Sequence, residues 1–120
     1  MSQRVLFVDD DADLRRIMSS ALEQAGLQVE QAEAGEEGLE LLRAEPGRYD
    51  LVITDLSMPG MTGLEMLIAA GPDLGEAKVL LFTAFASSLH ESSNLRVRLL
   101  PKPIPAKELA ARACDLLAAA

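Results

Sequence analysis

Five short apolar runs punctuate the chain, and between them apolar residues recur at helical spacing. The first run, Arg4 to Val8, is continuously apolar after Arg4 rather than alternating, which fits a strand covered on both faces. Leu14, Ile17, Met18, Ala21, Leu22 and Ala25 then fall at i, i+3, i+4, i+7, i+8 and i+11, a single stripe that predicts a helix. Asp11 or Asp13 can cap its start, where negative charge meets the positive end of the helix dipole. Gly26 ends it. Residues 27 to 30 predict a short second strand, with Val29 its only β-branched residue. A second helix runs from Glu36 to Ala44 on Leu39, Leu41 and Leu42, and Pro46 and Gly47 break it. Gly38 inside that helix costs up to about 1 kcal/mol against Ala and reads as close packing on the sheet. Leu51, Val52 and Ile53 make a third strand that closes on Asp55. Thr62 caps a third helix bearing Leu64, Leu67 and Ile68, which ends before Gly71 and Pro72. Residues 78 to 82 form a fourth strand ending in Thr83 and Ala84. The Ser- and Asn-rich segment 85 to 95 predicts a short or frayed helix. Val97, Leu99 and Leu100 give a fifth strand running into Pro101, Lys102 and Pro103. The last helix starts near Pro105 and carries Leu109, Ala113, Leu116 and Leu117 on one side.

Strands alternating with helices specify a parallel sheet with helices on both faces. Right-handed crossovers prune the topologies, and five strands favour the doubly wound order 2-1-3-4-5. A length of 120 residues predicts one domain, over residues 1–120, with no output domain in the chain. Aromatic residues are only 3% and Trp is absent, so Leu, Val, Ile, Ala and Met must build the core. The net charge, 11 − 19 = −8, argues against nucleic acid and against an anionic membrane as partners. A single cysteine, Cys114, rules out an internal disulfide framework. No apolar run is long enough for a signal-peptide core or a membrane-spanning helix, so a cytoplasmic location is expected.

The chemistry lies where the strands end. Strand one ends at Asp9 and Asp10, strand three at Asp55, strand four at Thr83, and Lys102 follows strand five. In this topology ligands bind at that edge, at the switch point between strands one and three. Three carboxylates held close together repel and need a proton or a cation at neutral pH. A hard, oxygen-preferring ion such as Mg²⁺ suits them and keeps waters that a phosphate can displace. Asp55, at the end of an apolar strand and before a loop closed by Pro59, Gly60 and Gly63, is then placed to attack phosphorus and form an acyl phosphate. Lys102 offers a compact positive charge to one phosphoryl oxygen and Thr83 a hydroxyl to another. Such catalysis is mostly positioning and electrostatics.

These residues, in the stretches VLFVDD, TDLSMPGMTG, LLFTA and LLPKPI, resemble those of the response-regulator receiver domains of two-component signalling, over essentially the whole chain. The resemblance implies a flavodoxin-like three-layer sandwich and a phosphorelay switch, with Asp55 as phosphoacceptor. It implies that Asp10 and Asp55 ligate Mg²⁺ directly, together with the backbone carbonyl of Ser57, and that Asp9 ligates it through water. Thr83 and Lys102 bind the phosphoryl group, and the Lys102–Pro103 bond is cis. The partner implied is a sensor histidine kinase or a histidine phosphotransfer protein. The chain is then a monomer or weak dimer, and no enzyme beyond its own phosphoryl transfer and dephosphorylation. In the family the phosphoryl lifetime depends partly on the positions here occupied by Ser57 and Phe85.

Two departures from the family pattern bear on output. Leu99 stands where a switch Tyr or Phe is common. The spacing from Thr83 to Lys102, 102 − 83 = 19, is about three residues short, roughly one helical turn. The chain is therefore expected to use the face around strand five differently, or to signal through another. Simpler roles suit the remaining residues: a cap for Asp11, packing for Met58, Met61 and Met66, an exposed helix position for His90, and an inert thiol for Cys114. A calcium loop starting at Asp9 fails at Leu14 and Ser20, where Gly and Glu are wanted. An aspartate-nucleophile phosphatase needs an acid where Ser57 stands. A flavin-type phosphate loop would not be Asp-rich.

Overall fold

The computed structural model describes residues 3–83 and 97–118. Five strands are present: β1 (Arg4–Val8), β2 (Gln28–Ala32), β3 (Leu51–Asp55), β4 (Lys78–Thr83) and β5 (Val97–Pro101). All neighbours are parallel and the order is β2-β1-β3-β4-β5, the doubly wound order expected. The described helices are α1 (Ala12–Gln24), α2 (Gly35–Ala44), α3 (Gly63–Ala70) and α4 (Ala106–Ala118). The helix expected over 85 to 95, with Phe85 and His90, lies outside the described residues.

Alternation along the strands divides the core in two. Val5, Phe7, Leu51, Ile53, Leu80, Phe82 and Leu100 pack against Met18 and Leu22 of α1 and Leu109, Ala113 and Leu116 of α4. Leu6, Val8 and Val52 face the other way, against Leu39 and Leu42 of α2 and Met66 and Ala70 of α3. Leu109 is fully buried, so cutting it to Ala should cost about 2–5 kcal/mol. Among the described residues, no helix is long and apolar enough to cross a membrane.

The helix ends follow from their capping chemistry. Asp11, not Asp13, caps α1, its side chain accepting from the amides of Asp13 and Leu14. Thr62 and Glu65 close a reciprocal capping box on α3, worth about 1 kcal/mol. Gly26 leaves α1 at a φ of 96°, a conformation that favours glycine. Gly38 packs tightly, as expected, but against α3 as well as the sheet. A Cβ there would lie 2.6 Å from Met66 Sδ and 3.1 Å from Val8 Cγ2.

Two elements differ from expectation. β2 runs on to Ala32 because each residue of β1 takes a partner, from Arg4 with Gln28 to Val8 with Ala32. Its polar residues hid that extent, since an edge strand need not be apolar. A 3₁₀ turn, Gly71–Leu74, also follows α3, with Pro72 preset for its first turn.

Candidate functional site

The carboxyl end of the sheet gathers acids from separate stretches of chain. Asp9 follows β1 and Asp55 ends β3, each just beyond the paired residues Val8 and Thr54. One oxygen from each of Asp9, Asp10 and Asp55 lies within 4.8 Å of the others. Asp9 is wholly buried, Asp55 is 7% exposed and Asp10 is exposed. Lys102 reaches in from beyond β5. Its Nζ donates to Asp55 Oδ2 at 2.8 Å and to Asp9 Oδ2 at 3.1 Å. Asp9, Asp10, Asp55 and Lys102, expected together, are therefore together.

The remaining oxygens of the two buried acids are held by backbone. Asp9 Oδ1 accepts from the Asp11 amide at 2.9 Å, and Asp55 Oδ1 from the Ser57 amide at 3.1 Å. Burial pushes the Asp9 carboxyl above its ordinary value, against the pull of the Asp11 amide and the Lys102 ammonium. Burial also disfavours the Lys102 charge. The Asp55 and Asp9 carboxylates outweigh it and hold the ammonium above its usual value.

The loop after Asp55 is pinned at both ends by close contacts. Thr54 Oγ1 donates to the Asp55 carbonyl at 2.9 Å, and the Gly63 amide to the Leu56 carbonyl at 3.1 Å. A Cβ on Gly63 would collide with the Asp55 carbonyl and stand 2.9 Å from Thr54 Oγ1. Gly60 turns the loop at a φ of 74°. Met58 is buried and Met61 packs beside it, which bears out packing roles for both. Ser57 is exposed beside Asp55. The Lys102–Pro103 bond is cis, as the resemblance implied.

Thr83 ends β4 opposite Pro101, but its side chain lies outside the described residues. Leu99 sits on β5 paired with Leu81 and is part-buried. Cys114 is a part-buried thiol packed against the α1/α4 core.

Three contributors were not anticipated. Arg15 of α1 donates from Nη1 to the Asp9 carbonyl at 2.6 Å, and its Nη2 lies 4.0 Å from Glu33. Phe82 lies under the Lys102 ammonium, 5.0 Å from ring centroid to Nζ. Thr54 locks the Asp55 carbonyl. The only signals for them were the place of Arg15 one turn into the helix after the acids, and of Phe82 and Thr54 beside singled-out residues.

Chemically, the cluster holds three carboxylates against one ammonium, a formal charge of −3 + 1 = −2. An all-oxygen donor set of that charge, partly open through Asp10, fits a hard divalent cation.

Comparison with known proteins agrees with this geometry. The family model described as "Response regulator receiver domain" matches residues 5–113. The chain is 34% identical over 110 residues to the response regulator receiver protein CpdR of Brucella abortus, covering 89% of this chain and 90% of that protein. It is 37% identical to the response regulator MprA of Mycolicibacterium vanbaalenii, covering 98% of this chain but 51% of MprA, about half its length. Among solved structures it is similar to the receiver domain of the hybrid histidine kinase CckA, with TM-score 0.84 and 35% identity over 95% of this chain and 98% of that one. It is also similar to the response regulator TrrA of Thermotoga maritima, solved in complex with Mg²⁺-BeF, with TM-score 0.79 and 32% identity over 95% and 98% of the two chains. The family's receivers interact with histidine kinases or phosphotransfer proteins. The chain belongs to the response-regulator receiver family.

Proposed function

We propose that this chain is a Mg²⁺-dependent phosphorelay receiver whose Asp55 accepts a phosphoryl group from a sensor histidine kinase or a histidine phosphotransfer protein. The observation that carries the reading is the gathering of Asp9, Asp10 and Asp55 around one ammonium, with Asp55 anchored on a rigid strand end. The complex of TrrA with Mg²⁺-BeF supports it by likeness. Asp10, Asp55 and the Ser57 carbonyl would hold the ion directly and Asp9 through water. When bound, the ion neutralises charge on the incoming phosphoryl oxygens.

An Asp55 oxygen attacks phosphorus, and the P–N bond of the donor phosphohistidine breaks. The bonding pair leaves on the imidazole, which takes a proton. Lys102, already in contact with Asp55, transfers one hydrogen bond to a phosphoryl oxygen, and Thr83 offers its hydroxyl to another. Buried Asp9 and the backbone-held Asp55 need no reorganisation at that moment. The chain's own chemistry is this phosphoryl transfer and the later hydrolysis of the acyl phosphate.

The deciding experiment is intact mass after incubation with Mg²⁺ and acetyl phosphate, for the wild type and Asp55→Asn. One added phosphoryl group in the wild type alone is expected. No adduct in either would overturn the reading. For output, Leu99 cannot act as a switching aromatic, so phosphorylation should disturb β5 less than in receivers with a ring there. Amide chemical shifts of the free and phosphorylated forms test this, and β5 shifts as large as those of an aromatic-switch receiver would sink it.

A further inference from the structure

The register of the sheet explains how one lysine reaches two acids on distant strands. On the face toward α1 and α4, Asp55 of β3 pairs with Phe82 of β4, and Phe82 with Leu100 of β5. Lys102 leaves the chain beyond β5, while Asp55 is on β3, two strand spacings or about 10 Å away. Its side chain must therefore cross β4. The residue of β4 beneath that crossing is Phe82, fully packed at 1% exposure, with its centroid 5.0 Å from Nζ. The ring presents its face to an ammonium that is only partly solvated, and a cation–π contact strengthens as the cation loses water.

We propose that Phe82 is a positioning residue: its ring is the floor that holds the Lys102 ammonium at Asp55 and Asp9. The effect on phosphoryl transfer rests on the proposed receiver reading, whereas the holding of the lysine does not. An aliphatic residue at 82 would still bury apolar surface there but would leave the ammonium without a face to rest on. The acids alone would then compete with water for it. The contact therefore gives the chain a lysine poised before any phosphoryl group arrives.

The test replaces Phe82 by Leu and, site-specifically, by mono-, di- and trifluorinated phenylalanine, which keep the shape while draining the π face. Two readouts are taken on the intact chain. The first is NMR of the Lys102 ε-methylene, which a ring below should shift upfield and immobilise. The second is the rate of phosphoryl uptake from acetyl phosphate, with thermal melting followed in parallel. Phe82→Leu should abolish the upfield shift, mobilise the methylene and slow uptake by about 2- to 30-fold. The fluorinated series should slow uptake stepwise without matching changes in melting. A purely structural Phe82 would move the melt and not the series. Trifluorophenylalanine at 82 with a methylene as immobile as wild type would overturn the proposal, as would wild-type uptake. If the wild type takes no phosphoryl group at all, the receiver reading fails, and the methylene readout alone decides this one.

Discussion

The two ends of the sheet carry polar clusters built on opposite plans. At the amino end, Arg48 binds Glu30 at 2.6 Å and Glu45 at 3.3 Å, and Arg4 lies 3.7 Å from the same Glu45. Tyr49 donates its hydroxyl to Glu30 at 3.1 Å, and Asp50 accepts from the Arg4 amide at 2.8 Å. Two guanidiniums there face two carboxylates, with a third acid spent on backbone. At the carboxyl end, Asp9 and Asp55 share one ammonium and a third carboxylate, Asp10, lies beside them. The first cluster is complete as folded. The second is short of positive charge, and burying charge without full pairing costs stability. A fold tolerates such a deficit where a ligand makes it good, so the contrast supports the site proposed at the carboxyl end.

The largest effect should come from removing the ammonium that bridges the two buried acids of the deficient cluster. Lys102→Met leaves buried Asp9 and Asp55 facing each other and should cost about 3 kcal/mol at neutral pH. The penalty should shrink as pH falls, because burial already holds the Asp9 carboxyl above its ordinary value and its protonation relieves the repulsion. Arg48→Met, in the balanced and more exposed cluster, should cost about 1 kcal/mol or less. Urea unfolding of both variants between pH 4 and 7 checks this. Equal losses would erase the distinction between the two ends.

Divalent ions should respond to only one end. At a hundredfold excess over its dissociation constant, Mg²⁺ should stabilise the wild type by about 2.7 kcal/mol. Arg48→Met should keep that gain and Asp55→Asn should lose most of it. Unfolding midpoints with and without Mg²⁺ measure it. A Mg²⁺ gain retained in Asp55→Asn would move the ion to another site.

High pH should probe the other end. Burial, with the hydrogen bond to Glu30, pushes the Tyr49 hydroxyl up to about 12. Because the folded value is raised above the unfolded one of about 10, its contribution is fully present below pH 10 and is lost as pH rises toward 12. The loss should be roughly 2–3 kcal/mol, and Tyr49→Phe should lack that part of the slope. Denaturation midpoints of the two proteins from pH 9 to 12 give the difference, and parallel curves would refute it.

Why one end was legible in the sequence and the other was not follows from how each is built. Asp9, Asp10 and Asp55 stand at the ends of buried apolar strands and Lys102 just past β5, and the doubly wound order sends all such ends to one edge. The continuous apolar runs of β1, β3 and β4 made the strands plain. Arg4, Glu30, Glu45, Arg48 and Tyr49 follow no such rule, because their meeting depends on side-chain reach across an edge strand. Arg15 and Phe82 escaped notice for a related reason. Their roles depend on pairing register and side-chain direction, which periodicity does not specify. The extra residues of β2 and the 3₁₀ turn at Gly71–Leu74 were hidden by polar or turn-forming composition.

The smallest predicted effect separates the two plans most directly, because its sign should reverse. Asp10 is exposed, and among the described residues its carboxylate makes no hydrogen bond or ion pair, yet it lies within 4.8 Å of the oxygens of Asp9 and Asp55. At that distance like charges in a water-like medium repel by about 1 kcal/mol. Asp10→Asn should therefore stabilise the ion-free protein by about 0.5–1 kcal/mol, less at high salt. With saturating Mg²⁺ the order should invert, since the variant loses a ligand charge and with it part of the binding free energy. Urea unfolding in EDTA and again in Mg²⁺ reads both signs. A variant less stable than wild type in EDTA would mean that the acids are not in conflict and that the deficit at this end has been misjudged. A gain that persists unchanged in Mg²⁺ would mean that the conflict is real but that Asp10 is no part of what resolves it.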